Sequence, residues 1–342
     1  MICNELYDGQ GLGNQLWNYA VARVLADRQG CAFSILGRER FKGKQFMSLD
    51  FGESVVGGNS PEGGPPTTLP NGISHYYRER RENLRGTGTD ISRTDPGVLA
   101  IGPQTKFDGN CQSTTYLDGY QEKIRRWIVI PPMADGQTTD EETCMIHLRC
   151  GDFAGLKDVF LPFEYYQHAM AYVRRLNPRV RFACVTDQPE VAKTILPDVE
   201  IIGASLVNQT DSEKASHHLG GPIGIDFSLL MQAKYLIIPN SSFSWWAAYL
   251  NTRAVAIVAP KYWAAHNRSD GYWSTADMIT PGFTYLDRNG SAFTPEQCQS
   301  EKNAYEAAHP DMFTAPVTQS KSRNSFFATL KKKISSRFIS ST

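Results

Sequence analysis

The chain has 342 residues, 41% of them hydrophobic and 20% charged, which is enough for one large domain or two ordinary ones with a real core. Lys+Arg and Asp+Glu number 35 each, a balance that argues against a dedicated nucleic-acid binder, and no run of 18 apolar residues occurs, so no membrane-spanning helix is expected. The seven cysteines are odd in number, widely spaced and lack a Cys-x-x-Cys pair, which fits reduced, buried thiols better than a disulfide framework or a zinc site.

Met1 to Glu5 offer neither a basic n-region nor a small-residue cleavage site, so no signal peptide is expected and the chain reads as cytoplasmic. Ile2 to Tyr7 is a strand candidate, and Asp8 to Asn14 is a glycine-rich turn. Leu16, Tyr19, Ala20 and Val24 then recur at helical spacing up to Gly30, and Cys31 to Leu36 reads as the next strand. From Gly52 to Gly72 the composition shifts to glycine and proline and predicts a long loop. Arg85 to Gly97 is a second polar stretch, Tyr116 to Trp127 resumes order, and Pro131 to Glu142 reads as a linker.

Beyond the linker a regular alternation begins. Strands are expected at Thr143–Leu148, Arg181–Thr186, Val199–Gly203, Tyr235–Pro239 and Ala254–Ala259, with helices at Phe163–Leu176, Pro189–Leu196, Asp226–Lys234 and Ser244–Leu250. A loop rich in Ser, His and Gly spans Ala204 to Gly224. This rhythm predicts an α/β fold with mainly parallel sheets covered on both faces, and the first third reads as a shorter version of the same plan. The expected organisation is one Rossmann-like domain over residues 1–135, a second over 140–285, and a helical, polar tail over 286–342 that ends in a basic segment with Lys331, Lys332, Lys333 and Arg337.

Ligands of open parallel sheets bind beyond the carboxyl ends of the strands, and polar residues collect there. The strand at 143–148 leads into Arg149 and Asp152, the strand at 181–186 into Asp187, and the strand at 235–239 into Asn240, Ser241, Ser242, Phe243 and Ser244 at a helix start. Such a start offers unpaired N–H groups and a positive dipole end to a phosphate, while plain N-capping by a serine is the competing reading. Arg149 is a fork for phosphate or a structural ion-pair partner. His147 is a ligand contact or a satisfied core imidazole, and Asp226 and Asp187 are ligand acceptors or helix caps. The glycines at 9, 11 and 13 bring backbone close to something, but Asn14 stands where a dinucleotide fingerprint needs glycine. Trp245 and Trp246 read as core. No Asp-x-Asp occurs to hold a metal for a sugar nucleotide.

Three segments together resemble glycosyltransferase family 11, the α-1,2-fucosyltransferases. They are Gly11-Leu-Gly-Asn-Gln15, then Ile146-His-Leu-Arg-Cys-Gly-Asp152, which is similar to the motif H-x-R-R-G-D, and Asp226-Phe-Ser-Leu-Leu-Met-Gln followed by Ile237 to Trp246. The resemblance implies a GT-B-like fold of two facing Rossmann-like domains and GDP-L-fucose as donor, with inversion at the anomeric carbon and no metal or other cofactor. By similarity, Arg149 would hold the diphosphate, His147 and Asp226 the guanosine, and Ser241, Ser242 and Ser244 the phosphate. Asn240, Phe243, Gly11 and Gly13 would complete the donor site. Asn14 would lie near the reacting centre, with Asp8, Asp152 and Asp187 as candidate bases. The implied partner is an oligosaccharide acceptor, fucosylated on O2 of a terminal galactose and built on a lipid carrier. The basic tail would then touch a membrane surface or stay disordered.

One departure stands out, because Cys150 occupies the second arginine of the family motif. It leaves two alternatives beside the fucosyltransferase reading: a non-catalytic GDP-sugar binder, and a transferase of another linkage or GDP-sugar.

Overall fold

The computed structural model describes residues 1–58, 65–80, 82–84, 89–91, 93–131, 140–151, 159–203, 221–273, 277–311 and 313–314. Asp152, residues 204–220 of the Ser/His/Gly loop, residues 132–139 of the expected linker and the basic tail from 315 onward lie outside them.

The first half is built on β1 (Ile2–Glu5), β2 (Phe33–Leu36), β3 (His75–Arg78) and β6 (Thr105–Asp108), in the order β2-β1-β6-β3 with every pair parallel. Two short strands between them, β4 (Glu82–Leu84) and β5 (Thr89–Ile91), form a separate three-stranded antiparallel sheet with β14 (Phe313–Thr314). Helix α1 (Leu12–Arg28) begins inside the glycine-rich segment, four residues ahead of the expected start, so Gly13 and Asn14 belong to its first turn. It buries residues on every side, from Leu12 to Ala26, which makes it an interior helix.

The second half is a seven-stranded sheet. Its strands are β7 (Thr143–Leu148), β8 (Arg181–Thr186), β9 (Glu200–Ile201), β10 (Tyr235–Ile237), β11 (Ala256–Pro260), β12 (Phe283–Leu286) and β13 (Ala292–Phe293), in the order β13-β12-β11-β10-β7-β8-β9. All pairs are parallel except β12 with β13. Both faces are covered, as a parallel sheet requires. Along β7, Cys144, Ile146 and Leu148 pack with Tyr165, Tyr166 and Val173 of the long helix Phe163–Leu176, while Met145 joins the opposite face. Two further helices lie on that opposite face, Gly221–Gln232 and Ser242–Leu250.

The core on that face continues into the first half. Trp17 of α1 stacks on Trp245, ring centroids 4.4 Å apart, and meets Trp246 edge-on at 5.2 Å. The paired tryptophans are therefore core, as expected, and more specifically the seam between the halves. The indole N–H of Trp245 donates to Thr280 Oγ1 at 2.9 Å, which satisfies its polar tip. After the second sheet comes the helix Pro295–Ala308, opened by a capping box between Thr294 and Gln297. All seven cysteines lie among the described residues, none in a disulfide, and six are buried. Among the described residues no helix is long and apolar enough to cross a membrane.

Candidate active site

Strands β10, β7 and β8 are neighbours, so their carboxyl ends place Asn240–Ser244, Arg149–Gly151 and Asp187 along one edge. The serine-rich segment starts the helix Ser242–Leu250, and the expected cap is not made: Ser241 at the N-cap forms no side-chain cap hydrogen bond. The Ser244 hydroxyl instead donates to the Ser241 carbonyl at 3.2 Å. The N–H groups of the first turn thus stay available, which gives this start the character of an anion site. Helix α1 also begins without a side-chain cap, at Gly11.

These two helix starts meet. A Cβ on Gly13 would lie 2.4 Å from the backbone carbon of Ser242, so only glycine lets the helices cross this closely. Gly13 is therefore a packing glycine between the halves. Next to it, Asn14 Oδ1 accepts from the Ser242 hydroxyl at 2.9 Å and from Gln112 Nε2 at 2.7 Å. Asn14 thus ties the first half of the chain to the start of the candidate phosphate helix.

Arg149 pairs with Asp187, whose other carboxylate oxygen accepts the Cys150 N–H at 2.9 Å. The pair stays about one-third exposed (35% and 29%), so it orients the guanidinium without burying it. The turn requires Gly151, whose φ is +23° and whose Cβ would come 2.5 Å from Asp187 Oδ2. With its carboxylate committed to Arg149 and Cys150, Asp187 positions the arginine. Asp8, another candidate base, is exposed and pairs with Arg40 Nε at 3.4 Å.

His147 is buried on the face of β7 that meets the helices, its ring 5.6 Å from that of Phe243. Burial, reinforced by the Arg149 charge, lowers its pKa to about 3, so the ring is neutral at physiological pH. Its Nδ1 is buried with no hydrogen-bond partner. Asn240 donates to the Val159 carbonyl at 2.9 Å while its own buried Oδ1 finds no partner among the described residues, so its amide anchors the chain at Val159. Asp226 lies on the helix Gly221–Gln232, close enough to the end of β9 that a Cβ on Gly203 would sit 2.3 Å from its Oδ1. Phe227 beside it packs edge-on to Phe243 at 5.3 Å. His147, Phe243 and the Asp226 helix therefore surround one place, with Arg149 and the Ser242 helix start bordering it.

Cys150 is fully buried in the core cluster formed with Leu161, Tyr165 and Tyr166. Burial, then the Asp187 charge, push its thiol pKa up to about 11, so it carries no thiolate at neutral pH. Among the described residues no three His, Cys, Asp or Glu side chains stand together as metal ligands.

Sequence reasoning missed three contributors. Gln15 grips the Arg40 carbonyl and the Lys42 N–H, both at 2.9 Å. Gln112 partners Asn14 from beyond β6, and Lys42 lies within the electrostatic reach of Arg149. Gln15 could have been found, because it closes the Gly11–Gln15 motif, whereas Lys42 and Gln112 carry no local signal.

The family model "Glycosyl transferase family 11" matches residues 115–287, just over half of the chain, and the chain belongs to this family. It is 28% identical to the O-antigen biosynthesis glycosyltransferase WbnK of Escherichia coli over 131 residues, which cover 36% of this chain and 40% of that protein. It is 27% identical to an alpha-1,2-colitosyltransferase of Escherichia coli over 272 residues, 74% of this chain and 89% of that protein. Among solved structures it is similar to NodZ alpha-1,6-fucosyltransferase soaked with GDP-fucose, at 15% identity and a TM-score of 0.41, over 76% of this chain and 94% of that one.

Proposed function

We propose that this member of glycosyltransferase family 11 is a metal-independent, inverting fucosyltransferase that moves L-fucose from GDP-L-fucose to a glycan hydroxyl, O2 of a terminal galactose. The observation that carries the reading is the meeting of Arg149, an uncapped helix start at Ser242 and the neutral His147 at the carboxyl ends of adjacent strands. An anion site bordered by aromatic rings and a carboxylate suits a nucleoside diphosphate. Asp226 is the acceptor for the base N–H edge, and Phe243 and His147 form the wall. The α-1,2 linkage in the name of the colitosyltransferase relative supports attack by O2.

In this mechanism the fucosyl C–O bond breaks with oxocarbenium character, and negative charge builds on the leaving diphosphate. Arg149 and the N–H groups at Ser242 to Ser244 stabilise that charge more in the transition state than in the ground state. Asp187 holds the guanidinium in place for it. The acceptor hydroxyl attacks the opposite face of the anomeric carbon from the side of Asn14 and the first sheet. A leaving group stabilised this well asks little of a base.

The test is transfer from labelled GDP-fucose to lacto-N-biose, N-acetyllactosamine and lactose by the wild type and by Arg149→Ala. The variant is expected to keep its fold, since the lost pair is part-exposed, and to lose about 10²–10³-fold in rate. Undiminished turnover in Arg149→Ala would remove the site from the mechanism. GDP binding by the wild type with no turnover on any acceptor would favour a non-catalytic binder. The colitosyltransferase relative gives a second donor a specific claim. Faster hydrolysis of GDP-colitose than of GDP-fucose would shift the assignment to that sugar, and faster hydrolysis of GDP-mannose would shift it further.

A further inference from the structure

We propose that Lys42 is a second cation for the donor diphosphate, delivered from the first half of the chain to stand opposite Arg149. The inference rests on the GDP-sugar reading above and adds a residue to it. Its basis is the path of the segment from Arg38 to Met47, which leaves the first half just after β2 and reaches the second. At one end the Gln15 side chain clamps it, donating to the Arg40 carbonyl and accepting the Lys42 N–H, each at 2.9 Å. Gln15 follows directly on Asn14, which bonds Ser242 at the start of the candidate phosphate helix. At the other end Phe46 packs against Phe227, ring centroids 5.8 Å apart, and so close to Gly224 that a Cβ there would lie 2.8 Å from the Phe46 ring. Lys42 is thus fixed between the Asn14–Ser242 contact and the helix that carries Asp226.

The electrostatics of this position are unusual for a structural lysine. Lys42 is half-buried, and no described carboxylate forms an ion pair with it. Burial lowers its pKa, and the Arg149 guanidinium adds to that effect. A part-buried ammonium with no carboxylate partner among the described residues is unfavourable by itself and becomes favourable when an anion comes beside it. Cys150, which stands where the family motif has its second arginine, is a thiol buried in the apolar core and supplies no positive charge. A diphosphate has enough charge and length to engage one cation from each half.

Lys42→Met keeps the length of the side chain and removes its charge, and Lys42→Arg restores the charge. Calorimetric titration of the full chain with GDP and with guanosine separates charge from pocket shape. The expected result is that Lys42→Met loses about ten- to a hundredfold in GDP affinity, keeps its guanosine affinity, and is rescued by Lys42→Arg. Without nucleotide, Lys42→Met is expected to melt no lower than the wild type, since it removes an unpaired, part-buried charge. Wild-type GDP affinity in Lys42→Met would overturn the inference and leave the GDP-sugar reading standing. An equal loss for GDP and guanosine would make Lys42 a shaping residue and also overturn it. Failure of the wild type to bind GDP would end both.

Discussion

The two parallel sheets manage their interiors in opposite ways. In the first, the central strands bury charge: Glu5 of β1 and Lys106 of β6 are fully buried and bonded at 2.6 Å. Asp108 stands 3.8 Å from the same ammonium and accepts the Tyr7 hydroxyl at 2.5 Å. In the second, the central strands bury apolar groups on both faces, and their one imidazole, His147, is kept neutral. A charge inside a protein is tolerated when it is paired or when it is discharged, and the central strands of the two sheets show one solution each. The difference follows the proposed division of labour. In the sheet proposed to meet a multiply charged nucleotide the charge of Arg149 lies past the strand end, and in the sheet proposed to face the acceptor sugar charges are stored within the strands.

The sharpest way to break the comparison is to unpair the first interior. Lys106→Met takes the 2.6 Å partner from buried Glu5 and leaves Arg40 3.5 Å away as partial compensation. A loss of about 3–5 kcal/mol in urea unfolding is expected, nearer the lower figure because of Arg40. Adding Glu5→Gln to Lys106→Met is expected to recover most of the loss; if the double variant is no more stable than the single one, the pair is not what holds the strand.

The seam between the halves is next in size. Gly13→Ala drives a methyl into the Ser242 backbone and is expected to cost about 1–3 kcal/mol, with loss of transfer activity because the phosphate helix shifts. Full activity at unchanged stability would show that the helices can part without consequence.

Per pH unit the last effect is small, and it tests the discharged imidazole. The pKa of His147 falls from 6.5 in the unfolded chain to about 3 in the folded one, so between those values the unfolded state holds more protons. Stability is then flat above pH 6.5 and declines as pH falls below it, with a slope of up to about 1.4 kcal/mol per pH unit for one proton. His266, lowered to about 4 by burial, adds to the slope in the same direction. His147→Gln should flatten, though not abolish, the decline between pH 6.5 and 4 followed by denaturant midpoints. An unchanged slope would mean that the ring is protonated in the folded protein.

The same contrast decides what could be seen in advance. The strands Thr143–Leu148 and Arg181–Thr186 and the helix Phe163–Leu176 fall where the sequence puts them, because apolar runs and helical spacing carry their own signal. The strand Thr105–Asp108 was not foreseen. Its sequence, Thr-Lys-Phe-Asp, looks like a surface loop until Glu5 and Tyr7, a hundred positions away, are set against it. The helix Pro295–Ala308 falls in the stretch expected to be helical and polar, where Thr294-Pro-Glu-Gln297 is a legible helix start, although its bounds were not given. In the site, the strand-end residues were legible, but what each does locally was not. Gly13 is a packing glycine, Ser241 is not a cap, Asn240 is an anchor, and Arg149 takes Asp187 as its partner. Each of these depends on chain segments that only the fold brings together.

The stack of Trp17 on Trp245, with Trp246 across its edge, has a mechanical meaning. It acts as a dry bearing in the seam between the halves, locked by the Gly13 crossing and the Asn14–Ser242 bond. Prying the halves apart there would wet three indoles at once, so any breathing between them has to rock about this pivot.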